Sequence, residues 1–87
     1  MKLNAYCIYD EKACAYNNPF FFGHDGQATR AFEDEANSAQ SAIAAHAGDY
    51  KLYRVGDFDT ESGKINPLPE PVFLVSGDQV KAITEAN

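Results

Sequence analysis

The sequence contains no Trp, only one Met and two Cys, and no run of about 20 apolar residues of the kind that spans a membrane. Cations are also scarce, since seven Lys and Arg oppose 13 Asp and Glu and give a formal net charge of −6. This charge repels nucleic-acid phosphates, which argues against a genome-condensing protein. Any nucleic-acid contact is therefore expected in a local patch.

The chain is short, but its composition is that of a folded protein. A hydrophobic content of 45% is too high for disorder, and 87 residues suffice for one domain. We therefore predict a single globular domain over residues 1–87. Residues 1–6 contain no apolar signal-peptide core, so we expect a cytoplasmic protein in which Cys7 and Cys14 remain thiols.

Two segments have the composition of β-strands. Residues 2–9 alternate, with one face formed by Leu3, Ala5, Cys7 and Tyr9 and the other by Asn4, Tyr6 and Ile8. Residues 50–58 form the second strand, in which Gly56 indicates a bulge.

Shorter β segments are expected to follow each of these strands. Residues 13–16 pair back on the first strand, and a hairpin loop at residues 59–63 leads back from the second. The run containing Pro67, Pro69 and Pro71 is expected to be extended and at an edge of the sheet, because proline donates no ladder hydrogen bond. Residues 72–75 form the last β segment.

Between these strands the apolar period changes to that of a helix. Asp25 is the expected N-cap, and Gly48 is expected in the left-handed conformation after the helix. The apolar stripe consists of Ala28, Ala31, Phe32, Ala36, Ala39, Ala42 and Ile43. The helix either continues throughout or breaks near residues 37–38, where Asn37 would cap a second helix.

The tail has two interpretations. Gly77 and Asp78 suit a tight hairpin turn, but Asp78 also suits the cap of a short helix bearing Val80 and Ile83, and we favour the helix. The chain is therefore predicted to be an α+β protein, with a small antiparallel sheet packed against one long or two short helices.

No motif for catalysis, cofactor binding or metal binding is present. The sequence has no CxxC, HExxH or Gly-rich phosphate loop, and His24 and His46 lack the spacing of metal ligands. Both Cys residues lie in β-patterned segments, where a buried and inert thiol is the usual outcome. We predict a protein that is not an enzyme and that has no catalytic residues, no cofactor and no metal.

One acidic loop resembles a calcium loop only in part. Asp57, Asp59 and Glu61 alternate as calcium ligands do, but Leu68 occupies the position of the required bidentate Glu. A solvated hairpin turn is therefore expected there.

Aromatic and cationic side chains are interleaved in residues 50–54, as in surfaces that bind unpaired bases. The candidate nucleic-acid contacts are Lys2, Tyr6, Lys12, Tyr50, Lys51, Tyr53 and Arg54. Stacking on such rings contributes about 1–3 kcal/mol per base, whatever the base. The alternative is that the Tyr rings pack in the core or at its rim.

Three consecutive aromatic residues, Phe20, Phe21 and Phe22, are too many for so small a core. We expect one or two of them to pack across a homodimer.

The order of several landmarks resembles the nonstructural protein of gokushovirus-type microviruses, which are small single-stranded DNA phages. These landmarks are MKL at residues 1–3, YDEKA at 9–13, Tyr16, Pro19 with Phe20, ATRAF at 28–32, DYKLYRVGDFD at 49–59, SGKI at 62–65 and Pro71. The resemblance covers residues 1–75 and transfers no catalytic motif.

The resemblance implies a non-enzymatic accessory protein, made in the cytoplasm of the bacterial host, that assists production or packaging of the single-stranded DNA genome. The expected partners are single-stranded DNA or viral or host replication and packaging proteins. The alternative is a protein-interaction module that redirects a host factor through the acidic helix face around Glu33, Asp34 and Glu35.

Overall fold

The computed structural model describes residues 1–81, which form an α+β fold built on a five-stranded antiparallel sheet. The strands are β1 (Lys2–Asp10), β2 (Ala15–Tyr16), β3 (Phe20–Phe22), β4 (Tyr50–Asp59) and β5 (Ile65–Ser76). Their order is β2-β1-β4-β5, and β3 also pairs with β1. The predicted fold class is confirmed, and the two segments with the clearest β pattern are the central strands.

The bulge indicated by Gly56 is present in β4. Gly56 lies opposite Ala5 of β1 and Arg54 lies opposite Tyr6, so Val55 is the extra residue. A side chain at position 56 would place its Cβ 2.4 Å from the carbonyl oxygen of Asn66 in β5. Only glycine allows the two backbones to approach so closely at the bulge.

The proline-containing strand β5 closes one edge of the sheet, as predicted. Gly56 of β4 lies opposite Pro67, and Arg54 lies opposite Val72, so residues 68–71 have no partner in β4. The unpaired stretch includes Pro69 and Pro71, where a ladder hydrogen bond would have no donor. The edge is therefore least regular where proline excludes regular pairing.

The main helix α1 (Asp25–Ala36) has Asn37 as its C-cap, so the alternative in which the predicted helix breaks near residues 37–38 is correct. Its N-cap is His24 rather than the expected Asp25, whose carboxylate binds side chains of the sheet instead. Asn37 does not cap a second helix, because its side chain donates to the carbonyl oxygens of Glu33 (2.8 Å) and Val80 (3.1 Å).

The second helix, α2 (Ala42–Ala45), is a single turn capped by Ser41, whose Oγ accepts the N–H of Ile43 at 3.0 Å. A 3₁₀ turn (Ala47–Asp49) follows and leads into β4. The expected left-handed conformation of Gly48 is wrong, because within residues 1–81 only Cys14 and Gly63 have a positive φ.

The tail begins with a short helix, α3 (Gly77–Val80), as favoured from the sequence. Its N-cap is Ser76 rather than Asp78, and the side chain of Gln79 accepts the N–H of Ser76 at 2.8 Å. A Cβ at Gly77 would lie 2.2 Å from the carbonyl oxygen of Ala47, so glycine lets α3 pack against the 3₁₀ turn. Ile83, which we predicted to lie on this helix, is outside the described residues.

One hydrophobic cluster joins the helices to the sheet. Its buried members are Tyr6, Ala28, Phe32, Ala36, Ile43 and Leu52, and Val80 of α3 packs against them. The predicted stripe is confirmed at Ala28, Phe32, Ala36 and Ile43, which are buried, and Ala31 is half-buried. It is wrong at Ala39 and Ala42, which are exposed, and Ala39 lies three residues beyond the end of α1. All three α-helices contribute to this cluster, which leaves the opposite sheet face without a helix in residues 1–81.

The longest described helix, α1, has 12 residues. Within residues 1–81 no helix combines the length and the apolar character that crossing a membrane would require.

Candidate functional site

The predicted nucleic-acid contacts are divided between the two faces of the sheet. Tyr6, Tyr50 and Arg54 lie on the face that the helices cover, whereas Lys51 and Tyr53 lie on the helix-free face. Lys2 and Lys12 are exposed at opposite ends of β1. The seven residues therefore do not form one surface.

Tyr6 belongs to a polar network at the start of α1. Its hydroxyl donates to Oδ1 of Asp25 at 2.8 Å and accepts from Nδ2 of Asn4 at 3.1 Å. Arg54 donates to Oδ2 of the same carboxylate at 2.5 Å. Because Tyr6 has 0% exposure, its ring is unable to stack on a base.

The ionisation of Asp25 follows from this network. Burial alone would raise the pKa of the Asp25 carboxyl, but the hydrogen bonds from Tyr6 and Arg54 and the charge of Arg54 outweigh burial and lower it. Arg54 is thus committed to an ion pair that fixes α1 on the sheet. The half-buried Tyr50 packs against the core on the same side.

The helix-free face carries a cluster of four rings, Tyr9, Tyr16, Tyr53 and Phe73, which we call the aromatic cluster. Tyr9 and Tyr16 are directly opposite each other on β1 and β2, with ring centroids 4.8 Å apart. Tyr53 of β4 lies 5.7 Å from the Tyr16 ring and 5.7 Å from the Phe73 ring of β5. The cluster therefore spans four strands of the sheet.

The edges of the aromatic cluster are open to solvent. Tyr16 is 46% exposed and Phe73 is 47% exposed, while Tyr9 and Tyr53 are half-buried between them. Next to the cluster, β1 contributes the small buried residue Cys7 directly opposite Tyr53. Partly exposed rings that are held in place by neighbouring rings suit the stacking of planar ligands.

Two cations lie at the same end of the sheet as the aromatic cluster. Lys51 is opposite Tyr9 in the sheet, and its Nζ donates to Oε2 of Glu11 at 2.7 Å, which raises the pKa of Lys51. Lys12 is exposed in the turn after β1 and has no ion-pair partner within residues 1–81. At most two phosphate contacts are available there, one of them in competition with Glu11.

Sequence reasoning missed three of the four rings, namely Tyr9, Tyr16 and Phe73. The alternation of residues 2–9 already placed Tyr9 and Tyr6 on opposite faces of β1. The predicted return of residues 13–16 along β1 also placed Tyr16 near Tyr9. Phe73 gave no such signal, because the pair that it forms with Tyr53 lies beyond a register shift in the β4–β5 hairpin.

The three consecutive Phe residues also divide between the faces. Phe20 and Phe22 pack against the core, 5.9 Å from each other, whereas Phe21 is 37% exposed on the helix-free face and lies 5.8 Å from the Phe58 ring. Phe21 is the most exposed of the three, whereas Phe20 and Phe22 are half-buried. Self-association stays a prediction, which light scattering of the purified protein would test.

The two thiols differ in their surroundings. Cys7 is buried, and burial raises the pKa of its thiol, which makes it a poor nucleophile. Cys14 is exposed in the β1–β2 turn with φ 55°, so its expected burial in a strand is wrong. No group of three or more potential metal ligands is gathered within residues 1–81.

The acidic loop between β4 and β5 is arranged as a hairpin turn. One oxygen of Asp59 accepts the N–H of Glu61 at 2.9 Å and that of Ser62 at 3.4 Å. These backbone hydrogen bonds lower the pKa of the Asp59 carboxyl. The carboxylate therefore stabilises the turn.

Comparison with known proteins identifies a family. No curated protein and no solved structure matches the chain. A family model described as Phage ORF5 protein matches residues 3–80, which include the three α-helices and all five strands except Lys2 at the start of β1. The match extends over most of the 87 residues, and the chain therefore belongs to the Phage ORF5 protein family.

Proposed function

We propose that the protein is an accessory factor of a gokushovirus-type microvirus. It acts in the cytoplasm of the bacterial host, where it binds single-stranded DNA during genome production or packaging. Membership of a phage protein family supports the viral part of this proposal.

The observation that carries the DNA-binding part is the aromatic cluster on the helix-free sheet face. A common module that binds single-stranded RNA uses an open four-stranded sheet whose aromatic side chains stack on two or three bases. Here Tyr9 and Tyr53 lie on the two central strands, and the exposed rings of Tyr16 and Phe73 flank them. The bases stack along this row of rings, and the three Tyr hydroxyls offer neutral hydrogen-bond donors.

The charge of the chain makes this binding weakly dependent on salt. Single-stranded DNA releases counterions with a log–log slope of about −0.7 per phosphate contact. With only Lys12 and Lys51 near the aromatic cluster, the slope is expected between about −0.7 and −1.4. A Lys51→Gln variant should make the salt slope shallower by about the contribution of one phosphate contact. The change should be smaller if Lys51 stays paired with Glu11 when DNA binds.

The test is fluorescence anisotropy with a labelled oligothymidylate of about 12 nucleotides, within the ~4–16 nucleotide sites of single-strand binders. Replacing Phe73 by Ser should cost about 1–3 kcal/mol, or roughly 5- to 150-fold in Kd. The matched control is Ile65→Ser, because Ile65 is 65% exposed on the same strand and outside the aromatic cluster.

Two results would reject direct DNA binding. One is the absence of any anisotropy change for the wild-type protein at low salt and at tens of micromolar concentration. The other is an equal loss of affinity in Phe73→Ser and Ile65→Ser, which would show that the exposed rings have no special part.

A second candidate function, protein docking through α1, has its own supporting observation. Glu33, Asp34 and Glu35 are all exposed on one helical turn, and within residues 1–81 none of them has an ion-pair partner. A partner with a basic surface would neutralise them. The test measures binding of a purified viral or host replication or packaging protein to the chain. Binding should be lost when Glu33 and Asp34 are both changed to Lys. It should be retained in Phe73→Ser, the variant that removes a proposed DNA contact.

A further inference from the structure

A pocket of about 380 Å³ opens between α1 and the sheet edge formed by β1 and β3. Its lining consists of Ile8, Phe20, Phe21, Phe22, Ala31, Phe32 and Glu35. The volume is within the range of about 300–1,000 Å³ that is typical of ligand pockets. Because Ile8, Phe20 and Phe32 belong to the helix-covered side, this pocket is separate from the aromatic cluster.

The lining selects for an apolar group with a positive charge beside it. Every lining residue but one is apolar, and the exception, Glu35, is an exposed residue of α1. Within residues 1–81 no cation lies within salt-bridge distance of Glu35. Its neighbours Glu33 and Asp34 add negative charge on the same turn, so an anionic ligand would be repelled.

The neighbouring strand favours a polypeptide over a small molecule. β3 has three residues and pairs only with β1, so its outer edge has no strand partner in the described part of the chain. A peptide laid along this edge gains main-chain hydrogen bonds, and its alternate side chains point into adjacent pockets. A free amine of similar size would use the pocket alone.

We propose that the pocket binds a segment of a partner protein in which a large apolar side chain is flanked by Lys or Arg. The apolar side chain enters the space between Phe20, Phe22 and Phe32, and the flanking cation lies against Glu35. This inference rests on the second proposed function and names the chemistry of the partner.

The absence of Trp from residues 1–87 provides a direct assay, because all Trp fluorescence then comes from the ligand. The probe is the peptide acetyl-Thr-Lys-Trp-Lys-Thr-amide, added to the full-length protein. Binding should shift the Trp emission to the blue and increase its intensity. Acetyl-Thr-Glu-Trp-Glu-Thr-amide should bind more weakly, and tryptamine tests whether the aromatic amine alone suffices.

Two variants locate the binding. Ala31→Met fills the pocket from α1 and should abolish the fluorescence change, with its melting temperature recorded to show that it folds. Glu35→Gln should weaken the Lys-Trp-Lys peptide roughly two- to fivefold, as for a charge at the rim of a site. Its matched control, Glu33→Gln, lies on the same turn but does not line the pocket and should have a smaller effect.

The proposal is overturned if the Lys-Trp-Lys peptide gives no shift, or if Ala31→Met binds it like the wild-type protein. It is also overturned if tryptamine binds as tightly as the peptide, which would indicate a small-molecule site. Loss of binding in Phe73→Ser but not in Ala31→Met would place the peptide on the aromatic cluster instead. None of these results depends on the charge-reversal test of protein docking, so the two proposals fail separately.

Discussion

Removing the hydroxyl of Tyr6 tests the polar network that holds α1 on the sheet. Tyr6→Phe keeps the buried ring and its contacts with Phe20 and Phe22. It removes the 2.8 Å hydrogen bond to Asp25 and the weaker 3.1 Å hydrogen bond that the hydroxyl accepts from Asn4. A hydrogen bond to a charged group contributes about 1.5–3 kcal/mol to the free energy of unfolding. The Asp25 side chain is 40% exposed and remains paired with Arg54 in the variant. The expected loss in the free energy of unfolding is therefore at the lower end of this range, about 1.5 kcal/mol. For a domain of this size, the melting temperature should fall by roughly 6–12 °C.

The loss should depend on pH in a defined direction. The pKa of Asp25 is lowered in the folded protein, so its stabilisation is fully present above the unfolded pKa of about 3.9 and is lost as the pH falls through the folded pKa. The hydrogen bond from Tyr6 contributes to the lowered pKa. The difference between Tyr6→Phe and the wild-type protein should therefore be constant near neutral pH and shrink below pH ~4.

Urea unfolding at pH 7 and at pH 3 measures both effects, with Tyr50→Phe as the matched control. The half-buried Tyr50 has no hydrogen-bond partner for its hydroxyl within residues 1–81, so its variant should unfold like the wild-type protein. Equal stability of Tyr6→Phe and the wild-type protein at pH 7 would refute the reasoning. So would a loss of the same size when Asp25 is already replaced by Asn, because the hydroxyl would then act independently of the carboxylate.

Two further predictions concern the backbone and the thiols. Gly56→Ala should lower the free energy of unfolding by about 1–3 kcal/mol, because the new Cβ would lie 2.4 Å from the Asn66 carbonyl oxygen. Gly48→Ala is the matched control, since a Cβ there would have no atom within 4 Å. It should leave the free energy of unfolding unchanged or raise it by up to about 1 kcal/mol. Similar melting temperatures for these two variants would contradict the close approach at the bulge. The exposed Cys14 should react rapidly with a thiol reagent under native conditions. The buried Cys7, whose thiol has a raised pKa, should react only as the protein unfolds. Equal reaction rates for the two thiols would contradict the burial of Cys7.

The sequence predicts the central strands well because their signals are local. The alternation in residues 2–9 separates Tyr6 from Tyr9 correctly, and Gly56 marks the bulge. Which face becomes the interior is decided elsewhere, by the side on which Phe32 and Leu52 meet. Both faces of β1 carry an aromatic ring, so alternation alone was unable to show that Tyr6 is buried.

The errors at helix ends have a different cause, which is competition from distant partners. Asp25 is a good N-cap residue, but Arg54 and Tyr6, 29 and 19 positions away in the chain, take both oxygens of its carboxylate. Asn37 likewise binds the carbonyl oxygen of Val80, 43 positions away, instead of starting a second helix. Propensity identifies residues with spare hydrogen-bonding capacity, and tertiary structure determines where that capacity is used.

The proposed DNA binding has to be reconciled with a net charge of −6, and the distribution of charge over the fold bears on this. The three adjacent carboxylates Glu33, Asp34 and Glu35 lie on α1, on the helix-covered side of the sheet, whereas the aromatic cluster lies on the other side. At physiological ionic strength the Debye length is about 8 Å, less than the ~10 Å between packed layers, so these charges act only weakly across the sheet. Under our two proposals, the rings and Lys12 would set the affinity for DNA, and the carboxylates on α1 would select the protein partner on the opposite face. The two proposed surfaces do not overlap, so the proposals together predict that a strand of DNA and a basic partner segment bind at the same time without competing.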